Sequence, residues 1–351
     1  MKQVDYIIVG FGLAGMAFAK ILQDNGKTFV VYDAEGRSAS RVAAGLYNPV
    51  ILKRYTLPWK AEEQFDMALP FFKEIGEQCD VESFVELPVH RVLASIEDQN
   101  NWYEATDKKD LKRFLDPVLV KNKNTSFNAP HHLGHVKETG RLQINELLNA
   151  YAKKLHAEAS FYNEEFQHDA VTHEENHVIY KNIKASRIVF AEGFGVKQNP
   201  FFGKLPLVGN KGEYMIIKAP ELDIDAAVKT SIFIIPLGED LYKVGATYNW
   251  QDKDWLPSAE AKEELQQKLE SVINCEYTLV DQIAGMRPTT GDRRALLGKH
   301  PHYKNLALLN GLGTRGIMMS VYLADMLYNY LEAGEELDPD VDLIRFASKF
   351  S

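Results

Sequence analysis

Apolar runs and helical stripes alternate along the chain, beginning with a βαβ pattern. Val4–Val9 reads as a buried strand, Met16–Asn25 has helical spacing, and Thr28–Tyr32 is a second apolar run. Trp59–Cys79 carries a helical stripe of Phe65, Ala68, Leu69, Phe72 and Ile75, interrupted by Pro70. Phe84–Ile96 alternates as strands do, Gln99–Phe114 is a polar helical region, and residues 125–140 read as loop. Gly140–Leu155 predicts a helix and Ala159–Phe166 a strand, followed by strands at Val178–Tyr180 and Arg187–Phe190. Beyond Gly212 the pattern changes: Tyr214–Ile217, Ser231–Ile235 and Tyr242–Ala246 are separated by Pro, Gly and acidic turns, which predicts antiparallel sheet. Ser258–Ile273 predicts a helix with Ser258 as N-cap, Val280–Ala284 and Asn305–Leu309 predict strands, and Ile317–Leu331 is a closing helix.

The joints between these elements carry the chemistry. Gly10-Phe11-Gly12-Leu13-Ala14-Gly15 lies between the first strand and the first helix, and Asp33 and Ala34 end the second strand. That order is the dinucleotide-binding arrangement. Gly10 permits the tight turn, Gly12 leaves room for a pyrophosphate, and Gly15 lets helix and strand pack closely. The helix N-terminus offers free N–H groups and the positive end of its dipole. Asp33 can accept hydrogen bonds from ribose hydroxyls. Two further glycine turns follow apolar strands, Ala191-Glu192-Gly193-Phe194-Gly195 and Asn310-Gly311-Leu312-Gly313-Thr314-Arg315-Gly316. One nucleotide-binding sheet assembled from distant segments explains all three turns, and the antiparallel material between them forms a second domain. The expected class is α/β: a Rossmann-like domain with a second α+β domain containing an antiparallel sheet.

The chain has 351 residues, long enough for two domains, with ordinary hydrophobic (45%) and charged (25%) content. A net charge of −9 argues against general nucleic-acid binding, which wants a basic footprint. The first apolar run stops at Lys20, too short for a membrane span, and Asp5 with the glycines argues against a signal peptide. Cys79 and Cys275 form no C-x-x-C pair, so a reducing cytoplasm is the expected setting. His131, His132 and His135 cluster, but with no Asp, Glu or Cys at ligand spacing no metal site is expected. Oligomeric state is not legible.

The GFGLAG turn with Asp33, the SASRVAAGLYNP segment, the AEGFG turn, the GMRPTTGD motif and NGLGTRGIMMS together resemble the D-amino-acid oxidase superfamily of FAD-dependent oxidoreductases, which includes glycine and sarcosine oxidases. The resemblance covers nearly the whole chain. Locally, KGEYM, VGATY and GLGTRG look like the FAD-dependent half of the bifunctional enzyme that modifies wobble uridine in tRNA; the 351 residues hold no counterpart of its methyltransferase half. The resemblance implies FAD rather than NAD. It places an FAD-binding domain on residues 1–80, 140–205 and 285–351, and a substrate domain on 81–139 and 206–284.

By the same resemblance, Ser40 approaches the pyrophosphate or ribose, and Ala44, Gly45 and Leu46 line the flavin. Phe166 offers backbone groups to the adenine, with Ala191 and Gly193 nearby. Gly313, Thr314, Arg315, Gly316, Ile317 and Met318 face the pyrimidine end of the ring. The Arg of G-x-R-P, Arg287, pairs with a substrate carboxylate, a task suited to its two-pronged fork. Phe233 and Tyr248 are expected pocket walls, and Arg315 turns toward the flavin or the substrate. Relatives resembling glycine oxidase often carry Tyr where Phe233 stands, and the missing hydroxyl points to a bulkier or N-substituted substrate. Cys275 falls outside the final glycine loop, so FAD is expected to be noncovalent.

The implied activity is oxidation of the C–N bond of an amino acid or N-substituted amine by hydride transfer to flavin N5, with oxygen or another electron acceptor. The alternatives are a tRNA-modifying FAD oxidoreductase acting on a carboxymethylaminomethyl group, an NAD-dependent dehydrogenase sharing the βαβ start, and a noncatalytic flavin-binding protein.

Overall fold

Hydrogen-bonded pairing of Lys2–Val9 sets the first layer. In the computed structural model, which describes residues 1–34, 36 and 38–350, five strands run parallel in the spatial order Phe161–Tyr162, Phe29–Tyr32, Lys2–Val9, Ile183–Phe190 and Leu306–Asn310. Period-two alternation divides their side chains between two cores. Tyr6, Ile8 and Val31 face the helices Leu13–Asp24, Ala61–Cys79, Ile144–Ala157 and Gly316–Glu332, while Ile7, Val9 and Val30 pack with Phe166, Tyr180 and Phe202. Glu332, at the end of the closing helix, binds this layer together: it accepts from Tyr6 Oη (2.5 Å), Arg187 Nη1 (2.7 Å) and Lys27 Nζ.

A second, mixed sheet has the order Thr278–Arg287, Asn210–Lys218, Leu241–Gly245, Phe233–Gly238, Ala227–Lys229, Val89–Val92, Leu133–Val136 and Leu115–Val120. Its first five strands are antiparallel neighbours. The helix Ala259–Glu270 packs Leu265 and Leu269 against one face, and Ser258 Oγ caps it by accepting the Ala261 N–H at 3.2 Å. Leu46–Tyr47, Gly140–Leu142 and Phe84–Glu86 form a small third sheet between the two layers of chain.

The structure corrects several boundaries. Pro70 does not interrupt its helix, which runs unbroken over Ala61–Cys79; Pro70 lies on the exposed side, and burial of Phe65, Ala68, Phe72 and Ile75 on the other outweighs the missing N–H. The segment expected to be loop contains the strand Leu133–Val136, paired on both sides despite its Gly and His. Gly140–Leu142 is strand rather than the first helical turn, and the helix begins at Ile144. Only Phe161–Tyr162 of the expected strand Ala159–Phe166 pairs with the sheet. The polar helix is Ile96–Asp107, started by Ser95, whose Oγ accepts the Asp98 N–H at 3.1 Å. Among the described residues no helix is long and apolar enough to cross a membrane.

Burial pushes the Glu332 carboxyl up, but hydrogen bonds from Lys27 and Tyr6 and the charges of Arg187 and Lys27 outweigh it and hold the group below its ordinary value. A depressed folded-state pKa gives stability that is present above the unfolded-state value and lost as pH falls through the folded one. Glu332→Gln should therefore cost about 1 kcal/mol at neutral pH, limited by solvent screening. The difference from wild type should shrink once pH falls below roughly 4 and vanish only below the folded-state value. Urea unfolding at several pH values checks this; a pH-independent difference would assign the loss to packing instead.

Candidate active site

Parallel pairing brings the three glycine turns side by side. Val9 is in register with Phe190, and Phe190 with Leu308, so the turns after Val9, Phe190 and Asn310 open at the same edge of the sheet. The carboxyl edge of a parallel sheet is where such folds bind ligands. The turns are tied to one another and to the second sheet: Ala191 N donates to Val9 O (2.7 Å), Asn310 Nδ2 to Gly193 O (2.9 Å), and Gly313 N to the O of Pro288, just beyond the strand Thr278–Arg287 (3.0 Å).

These turns, the segment 38–48 and the inner face of the second sheet enclose a cavity of about 1000 Å³. That is at the upper end of the roughly 300–1,000 Å³ usual for ligand pockets. It is lined by Gly10, Gly12, Leu13, Ala14, Asp33, Ala34, Ser40, Ala44, Gly45, Leu46, Phe166, Ala191, Gly193, Gly313, Thr314, Arg315, Gly316, Ile317 and Met318, and also by Phe233, Tyr248 and Arg287. Gly15 alone of the expected set stands away from it. A Cβ there would overlap the Gly10 carbonyl oxygen, so its part is the close packing of helix on strand.

The first-turn end of the cavity suits a phosphate. Gly12 is the N-cap of Leu13–Asp24 and contributes no side-chain cap; Leu13 N donates to Ser40 Oγ (3.1 Å). A Cβ on Gly12 would project into this cradle, 2.9 Å from Ser40 Oγ. Asp33 Oδ1 accepts the Phe11 N–H (2.9 Å), which aims its carboxylate into the cavity. Burial raises the Asp33 carboxyl above its ordinary value, opposed by that bond and by the Arg41 charge. Phe166, which borders the cavity, stacks its ring on Tyr180 with centroids 4.1 Å apart. The cradle, the acid and the long cavity fit an extended dinucleotide.

At the other end, Arg287 sits over the Tyr248 ring, guanidinium carbon to ring centroid 4.5 Å, and its Nη1 donates to Asn210 Oδ1 (2.7 Å) and Thr247 O (3.1 Å). Only one prong is committed to these acceptors. Arg315 is half-buried and, among the described residues, has no carboxylate within ion-pair range. Burial pulls it down to about 10, against the opposing influence of Tyr248, and it remains cationic at neutral pH. It precedes the closing helix, whose first turn carries no acid, so positive potential accumulates there.

Several charged groups at or behind the cavity wall carried no signal in the sequence. Lys243 is buried on the second sheet's inner face, with its Nζ 4.7 Å from the Tyr214 ring centroid, and donates to Val42 O (2.6 Å) and Ala43 O (3.3 Å). Burial, then the nearby Arg141 charge, brings it down to about 8. Lys229 places its Nζ 4.7 Å from the Phe233 centroid and is also brought to about 8 by burial and by Arg91, Lys268 and Lys53. His168 Nε2 meets Glu192 Oε1 at 2.8 Å at the cavity edge. Isolated lysines and histidines have no spacing pattern; only strand alternation, once the inner face is known, would have singled out Lys243.

A family model described as FAD dependent oxidoreductase (DAO) matches residues 5–329. The chain is 25% identical to the tRNA 5-methylaminomethyl-2-thiouridine biosynthesis bifunctional protein MnmC of Campylobacter jejuni subsp. doylei over 313 residues, 85% of this chain and 46% of that protein. It is 22% identical over 360 residues to glycine oxidase of Bacillus subtilis, covering 93% of this chain and 94% of the relative. The chain thus spans less than half the length of the bifunctional relatives it matches. Among solved structures, glycine oxidase from Geobacillus kaustophilus superposes with a TM-score of 0.80 at 20% identity, covering 99% of this chain and 98% of that one; this likeness speaks for the fold.

Gly12→Val should leave a folded protein that does not retain the dinucleotide, because the side chain fills the cradle. Flavin absorbance of the purified variant, with circular dichroism as the folding control, checks this; a yellow variant would move the cradle elsewhere.

Proposed function

The chain belongs to the DAO family of FAD-dependent oxidoreductases, and we propose that it oxidises the C–N bond of an amino acid or N-substituted amine whose carboxylate is held by Arg287. One observation carries the reading: an arginine with one prong fixed by Asn210 and Thr247 lines the same cavity as the glycine turns. The family match leaves no place for the NAD-dependent alternative.

In this reading the segments 1–80, 140–205 and 285–351 hold FAD noncovalently, and 81–139 with 206–284 face the substrate. Gly12, Leu13 and Ala14 receive the pyrophosphate, Asp33 the ribose, and Ala44, Gly45, Leu46 and Gly313–Met318 border the ring. When bound, FAD supplies the acceptor for a hydride from the substrate carbon beside nitrogen. Arg287 fixes the carboxylate with its second prong and so aims that carbon. Phe233 walls the substrate space, and Tyr248 stands at its mouth. Arg315 and the start of the closing helix favour negative charge at their end of the cavity. No residue needs to act as a base when the amine binds unprotonated. Phe233 offers no hydroxyl to a second carboxylate oxygen, which favours a bulkier or N-substituted amine over glycine. The setting is a reducing cytoplasm, and oxygen is one electron acceptor the reading allows.

A second reading has its own observation. Tyr248 and Trp250 are exposed at the rim, and Lys253 and Trp255 line the mouth beside them. Such a rim can stack a nucleobase, which favours a carboxymethylaminomethyl group presented on tRNA. The same Arg287 would hold its carboxylate.

Anaerobic titration of the FAD-loaded protein with amino acids, N-substituted glycines and tRNA separates the readings: bleaching by small amines supports the first, and bleaching by modified tRNA alone supports the second. Arg287→Ala should weaken carboxylate substrates by about 2–4 kcal/mol with FAD retained. Unchanged turnover in that variant would remove Arg287 from the site.

A further inference from the structure

The strand Asn210–Lys218 turns Gly212 and Tyr214 toward the cavity and places Lys211 and Glu213 on its opposite face. Lys211 is 1% exposed, and burying an ammonium is costly unless it is paired and hydrogen-bonded. Its partners come from the rim segment 249–258: Nζ donates to Asp252 Oδ2 (2.5 Å) and Asp254 Oδ1 (2.6 Å), with Glu213 Oε1 at 3.6 Å. Its main chain also exchanges two hydrogen bonds with Asn249, each 2.9 Å. Glu213 holds the far end of the segment, accepting Ser258 N–H and Oγ–H, both at 2.8 Å. Glu213 N donates to Thr247 Oγ1 (3.0 Å), and Thr247 N to Glu213 O (3.2 Å). The residues on both sides of Tyr248 are therefore held by this strand.

We infer that Lys211 is a positioning residue for the substrate clamp: by pinning the rim segment through Asp252 and Asp254 it holds Tyr248 against Arg287 and sets the cavity mouth. Among the described residues nothing outside the segment pairs with the Lys211 ammonium except Glu213, so the aspartates must stay turned inward for Lys211 to remain buried. Burial alone would lower the Lys211 ammonium, yet the two aspartate bonds and the Glu213 charge outweigh it; the same bonds hold Asp252 and Asp254 below the ordinary carboxylate range. The latch is thus fully charged at neutral pH. Tyr248 covers one side of the guanidinium whose other prong takes the substrate, so loosening the rim should weaken substrate binding more than it slows the chemical step.

The part of this inference that concerns substrate rests on the proposed function; the part that concerns the rim does not. The test compares FAD-loaded wild type with Lys211→Met, Lys211→Arg and the double variant D252N/D254N. Asp252 and Asp254 are 31% and 57% exposed, and the asparagine amides keep an oxygen that can accept from Lys211, so the double variant weakens the latch without removing every acceptor of the buried ammonium; circular dichroism is the folding control for each variant. Hydrogen exchange of residues 249–258 should accelerate on the order of tenfold in Lys211→Met and in the double variant, and Lys211→Arg should restore much of the protection. With an amine that bleaches the wild-type flavin, KM should rise on the order of tenfold while kcat changes little. Unchanged exchange across 249–258 in the double variant overturns the latch, whether or not any amine is oxidised. Faster exchange with an unchanged KM overturns its role in the clamp. If no amine bleaches the flavin, the function reading fails and the exchange result alone judges the latch.

Discussion

Parallel pairing of Lys2–Val9 with Ile183–Phe190, and of that strand with Leu306–Asn310, is the constraint on which the site depends. It brings together turns that lie far apart in the chain and opens them at one edge. Close packing at Gly15 then seats the first helix against the first strand, so that its N-terminus points into the space between the turns. Loss of that register would leave three unrelated loops. Glu332 secures the same layer from the opposite end, joining the closing helix to the first and middle strands through Tyr6 and Arg187.

The second sheet completes the site by alternation. Its inner face carries Tyr214, Phe233, Gly245 and Lys243, and the outer face of the strand Asn210–Lys218 carries the ion-pair network of Lys211 and Glu213. One strand therefore does two tasks: Asn210 orients Arg287 on the cavity side, while Lys211 and Glu213 fix the rim that supplies Tyr248. The inner-face lysines have a different standing. Among the described residues Lys243 has no carboxylate in ion-pair range, and it satisfies its ammonium on the carbonyls of Val42 and Ala43, which steadies the segment that borders the cavity.

The sequence by itself determined the βαβ start, the glycine turns, the antiparallel character beyond Gly212 and the Ser258 cap, because each rests on local periodicity or on a residue whose backbone or capping chemistry is distinctive. It also named most of the first and last glycine turns on the cavity wall, since a ligand that approaches backbone needs small side chains there, but missed Phe11, Glu192, Phe194, Gly195, Asn310 and Leu312. Tertiary structure decided what locality cannot encode. It kept the Ala61–Cys79 helix continuous through Pro70, because burial of one face outweighed a missing N–H on the other. It made a strand of Leu133–Val136, because two neighbours supply its hydrogen bonds regardless of propensity. It also turned Lys211, Lys243, Asp252 and Asp254 from ordinary charged residues into a latch and a brace, because the meaning of a charge depends on what lies within a few ångströms of it in space rather than along the chain.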